Sequence, residues 1–210
     1  MLQSQGYFIT GTDTEIGKTY STVKLLRQWQ GEGLRAGAMK PVASGCEVDE
    51  AGHWLNDDVR RLVAVTGQTD LDLMNPYRFL PPISPHIAAA QAGIEIKLET
   101  IVEHYQRLAP QYDRVAVEGA GGWFAPLSGD HFMADLAAAL GLPVILVVGM
   151  RLGCINHALL TAQAIRAAGC EFAGWVANQV VPRMPAYEDN LATLDRHLGA
   201  PRLLTLPYAP

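Results

Sequence analysis

Gly11-Thr-Asp-Thr-Glu-Ile-Gly-Lys-Thr19 is the stretch whose residue types can do the most chemistry. It follows the apolar run Tyr7-Phe8-Ile9 and precedes a helical pattern. Glycines let a loop wrap its backbone N–H groups around an anion, and the N-terminus of the next helix adds positive potential. Lys18 can then reach the β- and γ-phosphates of a nucleotide, and the Thr19 hydroxyl can ligate Mg²⁺. The spacing is one residue longer than usual for such a loop: five residues separate Gly11 from Gly17, and Thr12 stands where the first glycine is expected. A surface turn before an ordinary helix would use the same residues. The order strand, loop, helix argues for the phosphate reading.

Four further positions carry candidate chemistry. Glu118 follows the apolar Val115-Ala-Val117, and Asp58 falls at the start of a helical pattern. Mg²⁺ prefers a few hard oxygens and keeps several waters, so Thr19, Asp58 and Glu118 form a candidate ligand set. The ordinary alternatives are a turn or cap carboxylate for Glu118 and a first-turn acid, favoured by the helix dipole, for Asp58. Gly119-Ala120-Gly121-Gly122 allows close backbone approach, as a wall for substrate or phosphate or as a tight turn. Lys40 precedes a proline; it is a solvated lysine or a second cation on a transferring phosphoryl group. Ser44 reads as a turn residue on the same loop. Asn178 can cap a loop or match the N6/N7 edge of adenine with its carboxamide. Gly153-Cys154-Ile155-Asn156-His157 opens a helix, whose free N–H groups can hold a carboxylate; His157 alone reads as structural.

The elements that must position these residues alternate in type. Apolar runs at 7–10, 34–40, 114–117, 144–148, 173–177 and 203–206 read as strands. Helical patterns cover 18–31, 57–65, 86–92, 97–109, 132–140, 154–168 and 187–198. Residues 46–55 read as a mobile surface excursion, and 70–92 as a turn-rich stretch ending in a short helix. This alternation predicts an α/β fold with a doubly wound, mainly parallel sheet. Ligands then gather at the carboxyl ends of the strands, where the residues singled out above lie.

Composition sets outer bounds. The 210 residues predict one domain, 1–210, and 49% hydrophobic residues supply its core. A net charge of −5 argues against a general nucleic-acid surface. Cys46, Cys154 and Cys170 match neither a disulfide framework nor a zinc pattern, as expected of reduced thiols in a cytoplasmic protein. No basic residue precedes Lys18, so a signal-peptide n-region is not expected. The apolar run from Pro143 to Met150 is too short for a membrane span.

Taken together, these stretches resemble dethiobiotin synthetases. The matching motifs, in family order, are Gly11–Thr19, Lys40-Pro-Val-Ala-Ser-Gly45, Asn56-Asp-Asp58, Asn75-Pro-Tyr77, Ser84-Pro-His86, Glu118-Gly-Ala-Gly-Gly-Trp123, Leu152–His157 and Gly174-Trp-Val-Ala-Asn178. The family's loop has the same long spacing. The resemblance implies a P-loop NTPase-like three-layer α/β/α domain acting as an ATP- and Mg²⁺-dependent cyclo-ligase. That enzyme would join 7,8-diaminononanoate and CO₂ into the ureido ring of dethiobiotin and release ADP and phosphate. By carry-over, Thr19, Asp58 and Glu118 hold Mg²⁺, and Lys18 and Lys40 stabilise the transferring phosphoryl group. Thr14, Glu15, Ile16, Gly17 and Tyr20 belong to the phosphate loop and its helix, and Gly119, Ala120 and Gly121 to the nucleotide wall. Ser44 contacts the substrate. Asn178 with Pro207, Tyr208 and Ala209 binds adenine. The implied assembly is a homodimer, in which Gly153, Cys154, Ile155 and Asn156 meet the substrate carboxylate from the partner subunit.

The loop around Cys46 and Val48 departs from the family pattern. The chain also ends at Pro210, sooner than is usual in the family, so altered nucleotide affinity or base selectivity is expected. Two rival readings share the fold class. Partitioning and cell-division ATPases usually carry an extra lysine early in the loop, where this chain has Asp13. A cobyrinate-type amidotransferase needs a glutaminase domain, for which 210 residues leave no room.

Overall fold

The computed structural model describes residues 4–49 and 52–209. Its centre is strand β1 (Gly6–Gly11), buried along its whole length. The chain continues through α1 (Lys18–Gly31), β2 (Ala36–Met39), β3 (Val42–Ala43), β4 (Glu47–Val48) and β5 (Trp54–Leu55). Next come α2 (Asp57–Thr66), α3 (Leu71–Met74), β6 (Tyr77–Arg78), α4 (Pro85–Ala92) and α5 (Leu98–Leu108). After a tight turn at Ala109–Gln111 follow β7 (Arg114–Glu118), α6 (Met133–Leu140), β8 (Val144–Met150) and α7 (Cys154–Ala167). Strand β9 (Phe172–Gln179), α8 (Tyr187–His197) and β10 (Arg202–Leu206) complete the fold.

Six strands form one sheet in the order β10-β9-β8-β1-β7-β2. All its pairings are parallel. Parallel strands need crossover connections, and helices flank the sheet as a result. Helix α1 packs on β1, β2 and β7, and α7 on β8 and β9. Strands covered on both faces should be continuously apolar. Val144-Ile-Leu-Val-Val-Gly-Met150 is buried at every position. The expected doubly wound α/β architecture is therefore the observed one.

Register decides what meets at the top of the sheet. Ile9 lies beside Glu118 and Met39 beside Val117, so the carboxyl ends of β1, β7 and β2 finish level. The loops carrying Thr12–Gly17, Lys40 and Gly119 therefore leave from one edge.

The structure corrects the sequence reading in the middle of the chain. The expected mobile excursion at 46–55 contains an antiparallel hairpin, with Glu47 opposite Leu55 and Val48 opposite Trp54; residues 50 and 51 lie outside the described residues. The turn-rich stretch holds helix α3 and a two-residue strand, β6, paired in parallel with β3 through Val42–Tyr77 and Ala43–Arg78. Such short pairings join residues 35 apart and carry no local periodicity from which they could be read.

Candidate active site

The loop after β1 is shaped by its backbone. Gly17 has φ 77°, and Glu15, a non-glycine, has φ 56°. Left-handed conformations at a non-glycine residue cost energy and are kept where the surroundings impose them. A side chain at Gly17 would run into the Asn178 carboxamide, and one at Gly149 would come within 2.6 Å of Ile16. Asn178 Nδ2 donates to Ile16 O at 2.8 Å. Thr12 N donates to Val147 O at 3.0 Å, and Thr12 Oγ1 accepts from Gly149 N at 3.3 Å. The loop is thus pinned from β8 and β9. Gly17 is also the residue before α1, with no side chain capping the helix, so the first N–H groups of α1 face the loop.

The charged centre forms where four elements meet. Thr19 Oγ1 lies 2.6 Å from Asp58 Oδ1 and 2.7 Å from Glu118 Oε1. Lys40 Nζ donates to Asp58 Oδ2 at 2.9 Å, to Glu118 Oε1 at 2.6 Å and to Gly119 O at 3.4 Å. Lys40 is 3% exposed and Glu118 is fully buried. Burial opposes the charge on Lys40, but Glu118 and then Asp58 outweigh it and hold its ammonium above the usual lysine range. Burial likewise opposes charge on Asp58, where Lys40 and the Thr19 hydrogen bond prevail and lower the pKa. Lys18 donates to Asp13 O at 2.8 Å; burial, with Lys40 adding to it, lowers its pKa to about 8.

Local sequence explains each placement. Asn56 Oδ1 accepts from Val59 N at 2.9 Å and starts α2, setting Asp58 in its first turn. Asn56 Nδ2 also donates to Ser44 O at 3.4 Å, tying that helix to the loop beyond Lys40. Lys40 follows β2, and Glu118 is the last residue of β7.

A donor set of one hydroxyl and two carboxylates suits Mg²⁺. Glu118 Oε2 is buried with no hydrogen-bond partner. Buried carboxylate oxygens are normally paired, so this one fits a site that a cation completes.

Above this centre opens a cleft of about 750 Å³. Of the residues expected in the site, Thr14, Glu15, Gly17, Lys18, Thr19, Tyr20, Lys40, Ser44, Asp58, Ala120 and Gly121 line it. Glu118 forms its floor through Thr19 and Lys40. Ile16 is buried behind the loop, and Gly119 follows Glu118 directly.

The remaining expected residues stand apart from that lining. Asn178 touches the back of the loop at Ile16 and Gly17. Pro207, Tyr208 and Ala209 are exposed beyond β10. Gly153 and Asn156 are exposed at the start of α7, Ile155 is half-buried, and Cys154 is buried in the core. Residues given no site role from the sequence also line the cleft, among them Val42 and Ser84, which lie in the family motifs, and Arg61. Ser84 Oγ lies 2.9 Å from His86 Nδ1. The Ser84-Pro-His86 motif was the available signal for that wall, but its turn composition gave it no role of its own.

Asp13, the position that separates this chain from the partitioning ATPases, is ion-paired with Arg151 at 2.6 Å. Among the described residues no helix is long and apolar enough to cross a membrane.

A protein-family profile described as "AAA domain" matches residues 5–210. ATP-dependent dethiobiotin synthetase BioD of Xanthomonas axonopodis pv. citri is 47% identical over 210 residues, covering 100% of this chain and 93% of that protein. The protein of the same name from Nitrosospira multiformis is 49% identical over 209 residues, covering 99% and 90%. Among solved structures, the MinC:MinD cell division complex of Aquifex aeolicus aligns with TM-score 0.60 at 14% identity, covering 99% of this chain and 83% of that one. A ParA family ATPase from Chlorobium tepidum TLS aligns with TM-score 0.56 at 14% identity, covering 98% and 86%. At that identity the structural likeness shows the fold alone, a P-loop NTPase-like one. The full-length relatives carry more, and by them the chain belongs to the dethiobiotin synthetase family.

Proposed function

We propose that the protein closes the ureido ring of dethiobiotin from 7,8-diaminononanoate and CO₂, consuming ATP, as one domain spanning residues 1–210 in the cytoplasm. The observation that carries this reading is the buried Lys40 ammonium, bonded to both Asp58 and Glu118, whose oxygens also accept from Thr19 at the end of the phosphate loop. That arrangement sets a fixed cation and a hard-oxygen site beside the same phosphates.

The chemistry balances over three steps. One substrate amine adds to CO₂ and loses a proton, giving a carbamate. A carbamate oxygen attacks the γ-phosphorus and ADP leaves, giving a carbamic–phosphoric anhydride. The second amine attacks the carbamoyl carbon, the C–O bond to phosphate breaks, and phosphate and a proton depart. In this reading Lys18 and Lys40 hold the negative charge of the transferring phosphoryl group, with Lys40 also near the carbamate, while Thr14, Glu15 and the loop N–H groups orient the phosphates. Thr19, Asp58 and Glu118 would hold Mg²⁺, which neutralises phosphate charge when bound. Ser44, on the cleft wall, would contact the substrate.

Adenine recognition is assigned to Asn178 and Pro207–Ala209, beyond the cleft lining. The exposed N-terminus of α7 would receive the substrate carboxylate in a homodimer, each subunit completing the other's cleft. Exposed Leu152, Leu160 and Phe124 give apolar area that favours such a contact.

The test follows an oxygen atom. With oxygen-18 in the dissolved CO₂, the attacking carbamate oxygen stays with phosphorus, so the released phosphate should carry the label. Unlabelled phosphate formed together with dethiobiotin would contradict the anhydride.

A further inference from the structure

Asn75 is fully buried, and the chemistry above leaves it unused. Its Nδ2 donates to Lys40 O at 2.5 Å and to Tyr77 O at 3.3 Å. The N–H of Lys40 donates to Met74 O at 3.0 Å. Both backbone groups of Lys40 are therefore held by the adjacent residues 74 and 75. We infer that Asn75 is a positioning residue for Lys40, holding the Lys40–Pro41 peptide so that the ammonium reaches the phosphoryl group in one fixed geometry. This rests on the role given to Lys40 above.

Three observations support the assignment. First, Asn75 sits on a rigid base. Asp70 Oδ1 caps α3 by accepting from Leu73 N at 2.9 Å, Asn75 N donates to Leu71 O at 2.9 Å, and Pro76 restricts the backbone of Asn75 to extended conformations. Second, the Lys40–Pro41 peptide lacks an N–H, so its carbonyl is the group left to anchor it. Tyr77 N meets the next carbonyl, Pro41 O, at 3.2 Å and continues the clamp into the β3–β6 pair.

Third, Asn75 Oδ1 is buried without a hydrogen-bond partner. An unpaired buried acceptor lowers stability. A residue kept at that cost, with its donor aimed at the backbone of the central cation, is what a site built for placement rather than for stability contains. The other end of Lys40 is fixed as well: its ammonium is bound between Asp58 and Glu118.

The experiment is a double-mutant cycle on dethiobiotin formation from Mg-ATP, bicarbonate and 7,8-diaminononanoate. Asn75→Ala and the shape-matched Asn75→Asp, which lacks the amide donor, are each made alone and with Lys40→Ala. ADP affinity is measured on every variant as a gauge of the folded nucleotide site. The expected result is a kcat lower by roughly tenfold to a hundredfold for both single variants, with ADP affinity and the KM for ATP within about twofold. In the Lys40→Ala background the same changes should lower kcat by less than about twofold. A purely structural role would instead give the same further loss in both backgrounds, and that outcome overturns the inference. Unchanged kcat in Asn75→Ala overturns it too. So does failure of both variants to give soluble, ADP-binding protein, since Asn75 is then a folding residue. Normal turnover by Lys40→Ala alone would remove the role of Lys40 itself, a failure separable from that of Asn75.

Discussion

The phosphate side of the cleft and its outer flank differ in how they are built. On the phosphate side, Lys18, Thr19, Lys40 and Glu118 are buried; Thr19 and Lys40 both bond Glu118, and Lys18 bonds the loop at Asp13 O. They sit at level ends of parallel strands or on a helix that starts in a pinned loop. On the flank, Tyr208 is 38% exposed, Leu152 is 99% exposed, and Gly153 and Asn156 lie on the surface. Phosphoryl chemistry needs a centre organised before substrate arrives, and one chain supplies it. In the proposed reading the base and the substrate's far end meet exposed groups of this flank, with Asn178 already buried and bonded to the loop. The reacting centre and the flank should therefore fail in different ways when altered.

The largest break in the comparison is at Glu118. Glu118→Ala leaves the buried Lys40 ammonium with one partly exposed partner, and loss of a buried ion-pair member typically costs about 3–5 kcal/mol. Urea unfolding should show it, whereas Asp58→Asn, at a carboxylate 38% exposed, should cost far less. Next, Lys40→Ala should leave a folded protein that binds ATP while single-turnover dethiobiotin formation falls on the order of 10²–10³-fold. Normal turnover by that variant would remove Lys40 from the chemistry.

The flank is tested by Asn156→Asp, which puts a carboxylate in the first turn of α7 where the helix tolerates it. The KM for 7,8-diaminononanoate should rise about tenfold with ADP affinity unchanged. Mixing Asn156→Asp with Lys40→Ala subunits sharpens the point. If α7 serves the partner's cleft, hybrid dimers hold one intact site and an equal mixture should regain about a quarter of normal activity at low diamine. The smallest effect is expected far from the cleft. The Arg35 hydrogen bond holds Asp113 below the usual carboxylate range on the surface. Its contribution is present above the unfolded aspartate pKa and is lost as pH falls through the lower folded one. Arg35→Ala should therefore lower Tm only slightly at pH 7, because the pair is solvent-exposed, and the gap to the parent should close as acid protonates Asp113.

Legibility in the sequence followed the range of the interactions. Helix α1 is set by neighbouring residues, and the expected helix at 18–31 matches it. The apolar run at 144–148 announced β8, which extends two residues further. The start of α2 at residue 57 was legible because helix capping is local, and Asn56 supplies the cap. The β3–β6 pair, the 47–55 hairpin and the Asn75–Lys40 clamp were not, since each depends on contacts between short segments that carry no periodicity. Asn178 shows a mixed case. Its place at a strand end was expected, but its bond to Ile16 O depends on how β9 aligns with the loop after β1.

If phosphoryl transfer serves ring closure, phosphate release is tied to the diamine. The most direct measurement is phosphate release from Mg-ATP and bicarbonate, with and without 7,8-diaminononanoate, with dethiobiotin counted alongside. The account predicts release that requires the diamine and equals the dethiobiotin formed. Release that ignores the diamine would contradict it and point to a nucleotide switch on the same fold.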